Sequence, residues 1–197
     1  FTDYDSAGAQ AFRHRIKVLS GVTVIRHPRA RLPTRTSVPE AWTRTASAIG
    51  ICASTGGPPA LAALLADVPA TFPIPIYVVQ HIAAGFAASF VRWLDGEVPL
   101  PVRLAAAGKP GAGVWVAPEG AHLVVQAGGR IAFDASTGSG LHCPSGDVLL
   151  QSLARSAGRN AVAIVLTGMG RDGAEGLAEI REAGGLTIAQ DEPTSAV

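Results

Sequence analysis

An α/β fold is predicted for this chain: a doubly wound, mostly parallel sheet flanked by helices on both faces, with an antiparallel hairpin near one end. Three observations carry the prediction. Short apolar segments rich in β-branched residues recur from about Ala46 onward. Apolar positions at helical spacing run between several of them. One pair of short alternating runs flanks Ala127-Gly128-Gly129. Strands apolar on both sides that alternate with helices belong in a parallel sheet covered on both faces. The glycine-punctuated pair reads instead as a hairpin, which makes the sheet mixed at that end.

The elements follow in chain order. The first strand is "AIGICA", Ala48 to Ala53. Its short length and β-branched content favour strand over helix. Leu61, Leu64, Leu65 and Val68 then recur at i, i+3, i+4 and i+7, behind a Pro58-Pro59 pair suited to a first helical turn. The second strand is "IPIYVVQ", followed by a helical apolar face at Phe86, Phe90, Trp93 and Leu94. The third is "VWVAP", and the hairpin "HLVVQAGGRIAF" comes next. Val148, Leu149, Ser152 and Leu153 mark a helix that Ser145 is well suited to cap. The strand "AVAIVLT" precedes a helix carrying Leu177, Ile180 and Ala183, which Gly184-Gly185 stops. "LTIAQ" is the last strand.

The regular pattern defines one domain, residues 46–197. Residues 1–45 read as an extension of another kind. Gly21 to Arg44 is rich in arginine and proline and reads as an irregular or polyproline-like linker. Ahead of it, Phe12, Ile16 and Leu19 at helical spacing suggest the end of a helix.

Charge and cysteine usage narrow the function classes. The formal net charge is +1, from 16 basic and 15 acidic residues, which argues against a nucleic-acid binder driven by bulk charge. Cys52 and Cys143 do not form a disulfide framework, and a reducing compartment fits them. No apolar run reaches the roughly 20 residues needed to cross a bilayer, and "FTDYDSAGAQAF" lacks the pattern of a secretion signal. The expectation is a cytoplasmic protein that is not inserted in a membrane.

Ligands and catalytic groups of parallel α/β sheets collect at the carboxyl ends of the strands. Here those ends deliver Ser54-Thr55-Gly56-Gly57, Gln80-His81, Pro118-Glu119-Gly120, Thr167 to Gly173 with Asp172 among them, and Gln190-Asp191-Glu192. A hydroxyl, an imidazole and a carboxylate from three strand ends are the inventory of a serine hydrolase. The serine needs a base for its proton and donors for the oxyanion. A serine at a sharp strand-to-helix turn meets both needs, although Cys52 stands where G-x-S-x-G has its first glycine. Each candidate also has a plainer reading. Ser54 or Thr55 would cap the helix that begins near Pro58. His81 would be a satisfied, half-buried ring. Asp172 would neutralise the dipole of the helix that follows it. His14, His27 and His122 lack a compelling partner, and His142-Cys143 reads as a loop because no second ligand pair follows at metal-binding spacing.

A rival function lies in "GMGRDG". Gly168-x-Gly170-x-x-Gly173 follows a strand, opens a helix and is followed by Asp191 at the end of the next strand, as in a dinucleotide-binding βαβ unit. Against it, Asp172 would sit among amides meant for a pyrophosphate. The motif also comes late in the sheet, and it leaves Ser54 and His81 without a purpose.

The stretches "IGICASTGGPPAL", "VVQHI", "VWVAPEGAHL", "CPSGDVLL", "VLTGMGRDGAEGL" and "AGGLTIAQDEPTSAV" resemble, in order, the catalytic domain of the chemotaxis protein-glutamate methylesterases of CheB type. The resemblance spans about Ser47 to Val197. It implies hydrolysis of glutamyl methyl esters on the cytoplasmic domain of methyl-accepting chemoreceptors, with release of methanol, and deamidation of receptor glutamines. It implies the triad Ser54, His81 and Asp172, places Thr55 beside the nucleophile, and gives the main chain of Met169 a part in the oxyanion hole. Gly56 and Gly57 are expected to let the backbone and the ester approach Ser54. No metal and no organic cofactor are implied. Partners implied besides the receptor are a phosphoacceptor receiver domain in cis and its histidine kinase. Phe1 to Arg44 then reads as an interdomain linker, either after a receiver or in a member that lacks one. Ile82 and Gly146 depart from the commoner methionine and valine, both away from the expected chemistry.

Overall fold

The computed structural model describes residues 45–135 and 142–197. The helix expected around Phe12 to Leu19 and the linker expected through Arg44 lie outside the described residues. Among the described residues, eight strands and four α-helices follow in the order β1 (Ala48–Ala53), α1 (Gly57–Leu65), β2 (Pro75–Gln80), α2 (Ala87–Glu97), β3 (Val102–Leu104), β4 (Gly113–Val116), β5 (His122–Gln126), β6 (Arg130–Asp134), α3 (Gly146–Ser156), β7 (Ala161–Val165), α4 (Ala174–Glu182) and β8 (Leu186–Ala189).

Six strands form one sheet in the order β3-β4-β2-β1-β7-β8, and every neighbouring pair is parallel. β1 lies between β2 and β7. The chain leaves β1 toward β2, β4 and β3 and later comes back to β7 and β8. The winding direction therefore reverses beside β1, and a crevice opens there above the carboxyl ends. The hairpin β5–β6 is present, but as a separate two-stranded sheet. The main sheet is thus parallel throughout, instead of mixed at one end. Leu123, Val125 and Ile131 of the hairpin pack with Tyr77 and Val79 of β2 and with α3, so the hairpin covers a face of the sheet and leaves its edge alone. Ser152 Oγ of α3 accepts the Val125 N–H at 2.9 Å, and Tyr77 Oη donates to the Gly129 carbonyl at 3.2 Å. β3 escaped the sequence reading because only Val102 of its three residues is buried, so no apolar run announces it.

The alternation of side chains across the strands divides the core in two. Ile51 and Ala53 of β1 and Ile76 and Val78 of β2 face α1 and α2, through Leu61, Leu65, Phe90 and Leu94. Cys52, Tyr77 and Val79 face α3, whose Leu149, Leu150 and Leu153 are wholly buried. Each such leucine stabilises the fold by roughly 1.5–3 kcal/mol relative to exposure. The same parity carries His81, one residue past β2, to the α3 side of the sheet.

Candidate active site

Ser54 follows directly on β1, and α1 begins three residues later. Its backbone is pinned from both sides. The Ser54 N–H donates to the Thr167 carbonyl at 3.0 Å, and the Ser54 carbonyl accepts the Gly57 N–H at 2.8 Å. The plainer reading of this serine fails. The N-cap of α1 is Gly56, in the left-handed region at φ 77°, and no side chain caps the helix. Ser54 Oγ makes no hydrogen bond among the described residues. Both glycines fit closely against their surroundings. A Cβ on Gly56 would lie 2.4 Å from the Ala196 Cβ, and one on Gly57 would lie 2.1 Å from Gln80 Oε1. The protein's own atoms fill both spaces. Thr55 is exposed, and its carbonyl accepts the Thr167 hydroxyl at 3.1 Å. That hydroxyl oxygen also accepts the Ala196 N–H at 2.8 Å, which ties the end of "AQDEPTSAV" to the serine loop.

His81 and Asp172, 91 positions apart, meet through Nε2 and Oδ2 at 2.7 Å. Asp172 lies at the start of a helix, as its plainer reading required, but the helix is α3 and not the one that follows it in sequence. Its Oδ1 accepts the Ser145 hydroxyl at 2.7 Å and the Asp147 N–H at 3.1 Å, and its Oδ2 also accepts the Gly146 N–H at 2.6 Å. Burial opposes ionisation of this carboxyl. The hydrogen bonds from His81, Ser145 and the Gly146 and Asp147 amides outweigh it, and hold the group far below the usual carboxylate range. The positive end of the α3 dipole acts in the same direction.

An ionised Asp172 only accepts, so His81 carries its proton on Nε2 and presents a lone pair at Nδ1. That Nδ1 is buried and has no hydrogen-bond partner among the described residues. The ring stacks on His142 at a centroid distance of 4.3 Å and an angle of 15°. Ser54, His81, Asp172, Gly168 and Met169 line one cleft of about 60 Å³.

Several of these partners were not evident in the sequence. Ser145 was legible as a cap, and it does accept the Val148 N–H at 3.4 Å, but nothing local announced its second bond to Asp172. His142 read as a loop residue and covers the His81 ring instead. His122 is buried and accepts the Ser145 N–H through Nδ1 at 3.1 Å. Glu119 accepts the N–H groups of Gly85 and Ala87, which fastens the loop after His81 to the start of α2. The Gly85 amide, more than any other group, draws the Glu119 carboxyl below its ordinary range. Gly146 does not lie away from the chemistry: its N–H is an Asp172 ligand. A Cβ at Gly146 would lie 2.7 Å from Cys52 Sγ, so the glycine and the cysteine beneath it fit one another.

Cys52, two residues before Ser54, is a free buried thiol. Burial, reinforced by the negative charges of Asp172 and Asp147, pushes its pKa well above the ordinary value. It stays protonated and inert as a nucleophile. Cys143 is free and exposed. A maleimide is therefore expected to add once to the native protein, at Cys143, and twice after unfolding, as read by intact mass and peptide mapping. Rapid native labelling of Cys52 would contradict the burial.

The "GMGRDG" loop does follow β7 and open α4, with Gly173 as the N-cap. Gly168 and Gly173 face inward, however, toward Ser54 and Cys52. A Cβ on Gly168 would meet the Ser54 Cβ at 2.7 Å, so that glycine makes room for the serine. Asp191, the ribose-binding candidate, accepts the Thr194 hydroxyl through Oδ1 and is occupied in its own turn. Met169 is exposed on the rim of the Ser54 cleft, and its N–H has no partner among the described residues. Among the described residues no group of three or more His, Cys, Asp or Glu side chains is placed to hold a metal ion.

The family model described as "CheB methylesterase" matches residues 49–197. The chain is 45% identical over 188 residues to protein-glutamate methylesterase/protein-glutamine glutaminase 3 of Myxococcus xanthus (strain DK1622), covering 93% of this chain and 51% of that protein. It is 48% identical over 187 residues to protein-glutamate methylesterase/protein-glutamine glutaminase 2 of Anaeromyxobacter dehalogenans (strain 2CP-C), covering 94% and 54%. The chain spans about half the length of these relatives. Among solved structures, the Thermotoga maritima CheB methylesterase catalytic domain superposes with a TM-score of 0.72 at 34% identity, covering 78% of this chain and 84% of that one.

Proposed function

From the premise that this chain belongs to the CheB methylesterase family, we propose that residues 46–197 are its catalytic domain and hydrolyse glutamyl methyl esters on the cytoplasmic domain of chemoreceptors. The observation that carries the reading is the His81–Asp172 pair, whose unpartnered Nδ1 borders the same cleft as an uncommitted serine hydroxyl.

Ser54 Oγ attacks the γ-carbonyl carbon of the methylglutamyl side chain as His81 Nδ1 takes the hydroxyl proton. Asp172 stabilises the resulting imidazolium. The oxyanion forms on the rim of the cleft, where the Met169 N–H is free to donate to it. The Gly57 N–H is held by the Ser54 carbonyl, so Gly57 shapes the loop and does not donate to the oxyanion. Collapse breaks the C–OMe bond and methoxide leaves with the His81 proton, as methanol. Water then attacks the glutamyl-serine ester with His81 as base, releasing glutamate and free Ser54. A receptor glutamine enters the same path with ammonia as the leaving group, in line with the paired activities in the relatives' names.

The proposed setting is the cytoplasm, where that receptor region lies. No helix among the described residues is long and apolar enough to cross a membrane. A receiver domain in cis and its histidine kinase are proposed as the controlling partners, with residues 1–45 as the connecting linker. The test is methanol release from a methylated receptor cytoplasmic fragment. Steady release with multiple turnovers is expected. An unchanged methyl content after prolonged incubation with folded protein would overturn the reading.

A further inference from the structure

The geometry points to Gln80 as a positioning residue that sets the spacing between Ser54 and His81, an inference that rests on the hydrolase reading above. Gln80 is the last residue of β2 and pairs in register with Ala53 of β1. The final rung between these strands is the His81 N–H on the Ala53 carbonyl, at 3.0 Å. Beyond it the two chains diverge, β1 into the Ser54 turn and β2 into the loop before α2. Ser54 and His81 are therefore the first residues that the ladder no longer holds together.

The Gln80 side chain adds the missing rung. Its Nε2 donates to the Ser54 carbonyl at 2.9 Å and to the His81 carbonyl at 2.9 Å, so one amide group uses both its hydrogens to bridge the two residues. Both neighbours are acceptors, so only the NH2 end fits between them and the orientation of the amide is determined. The cost of this arrangement is visible at the other end: Gln80 Oε1 is buried without a partner, in a side chain only 5% exposed. A buried acceptor left unpaired needs a reason, and here the reason is the bridge. Gly57 leaves the space for it, since a Cβ there would lie 2.1 Å from Oε1 and 3.0 Å from Cδ.

The bridge matters because Ser54 Oγ and the His81 ring share no hydrogen bond in the resting structure. Their approach depends on how the two backbones are held, and displacements of about 1 Å in such sites cost on the order of 100-fold in rate. Neither the substrate cleft nor the His81–Asp172 contact involves the Gln80 amide. Its loss should lower kcat and leave KM and the fold in place.

The experiment compares Gln80→Met, which keeps the length and removes both donors and the unpaired acceptor, with Gly57→Ala, which pushes the amide aside from outside. Both are made in the full chain and measured by methanol release, circular dichroism and the rate at which a fluorophosphonate labels Ser54. The expected result for Gln80→Met is a kcat about 10- to 100-fold lower, a parallel fall in labelling rate, KM within twofold and an unfolding midpoint within a few degrees. Gly57→Ala should move kcat the same way, and it decides alone if Gln80→Met does not fold. A folded Gln80→Met with kcat within tenfold of the parent, or one whose loss lies in KM, overturns the inference. Ser54→Ala run alongside separates the two readings: if it stays active, the hydrolase assignment itself falls. If it is inactive while both bridge variants turn over normally, only the role of Gln80 falls.

Discussion

Ser54→Ala is expected to lower methanol release by about 10⁴- to 10⁶-fold while leaving the fold untouched. The rate effect follows from removing the attacking atom of a covalent mechanism, where losing the nucleophile costs about as much as losing the whole triad. The structural silence follows from the contacts around Ser54. Ser54 Oγ makes no hydrogen bond among the described residues, the helix after it is capped by Gly56, and the loop is held through main-chain bonds that alanine keeps. The thermal midpoint should therefore match that of the parent within about a degree or two, since ordinary substitutions away from structural features stay within about 0.5 kcal/mol. The informative outcome is the combination. A residual rate above about one per cent of the parent, in a folded variant, would remove Ser54 from the chemistry.

Asp172→Asn should lower kcat by about 10³- to 10⁴-fold, and unlike the serine change it should weaken the fold as well. Four donors converge on this carboxylate: His81 Nε2, the Ser145 hydroxyl, and the N–H groups of Gly146 and Asp147. Asparagine offers one acceptor oxygen and turns an NH2 group toward the remaining donors. The imidazole then loses the partner that keeps its proton on Nε2, and the start of α3 loses its anion. The pH dependence separates these effects. The Asp172 carboxyl lies far below its ordinary value of 3.8 in the folded chain. The stability it contributes is thus complete above the unfolded value, and is lost as pH falls through the folded one. The stability gap between parent and Asp172→Asn should stay flat from about pH 5 upward and narrow only in stronger acid, as read by urea unfolding at several pH values. By the same sign, no loss of activity on acidification to pH 5 belongs to Asp172. A gap that widens toward low pH, or a folded variant with kcat within tenfold of the parent, would contradict the assignment.

The two variants mark how differently the parts of the site could be read in advance. Ser54 is legible because an apolar strand, a hydroxyl and two glycines lie within ten residues of one another. The strand-end position of His81 and the glycine-flanked Asp172 are legible for the same local reason. The environment of Asp172 is not. Its anion-binding amides come from α3, 25 and 26 positions earlier in the chain, and nothing in "CPSGDVLL" by itself says that a distant carboxylate sits there. His142 and Gly146 were misplaced for the same cause: each looks ordinary beside its neighbours in sequence and matters through a contact made elsewhere.

The sequence by itself determined the alternation of strands and helices, the apolar faces that bury them, and the residue types delivered to each strand end, because backbone periodicity and turn chemistry act over a few residues. Only the tertiary structure decided the rest. It made the six-stranded sheet wholly parallel and put the hairpin over a face of it. It turned Nε2 of His81 to Asp172 and left Nδ1 without a partner among the described residues, and it laid the Gln80 amide across two carbonyls. These depend on which surfaces pack together after the chain has wound back beside β1, and on where that packing leaves individual donors and acceptors. That is a property of the assembled layers, and no short stretch of the chain contains it.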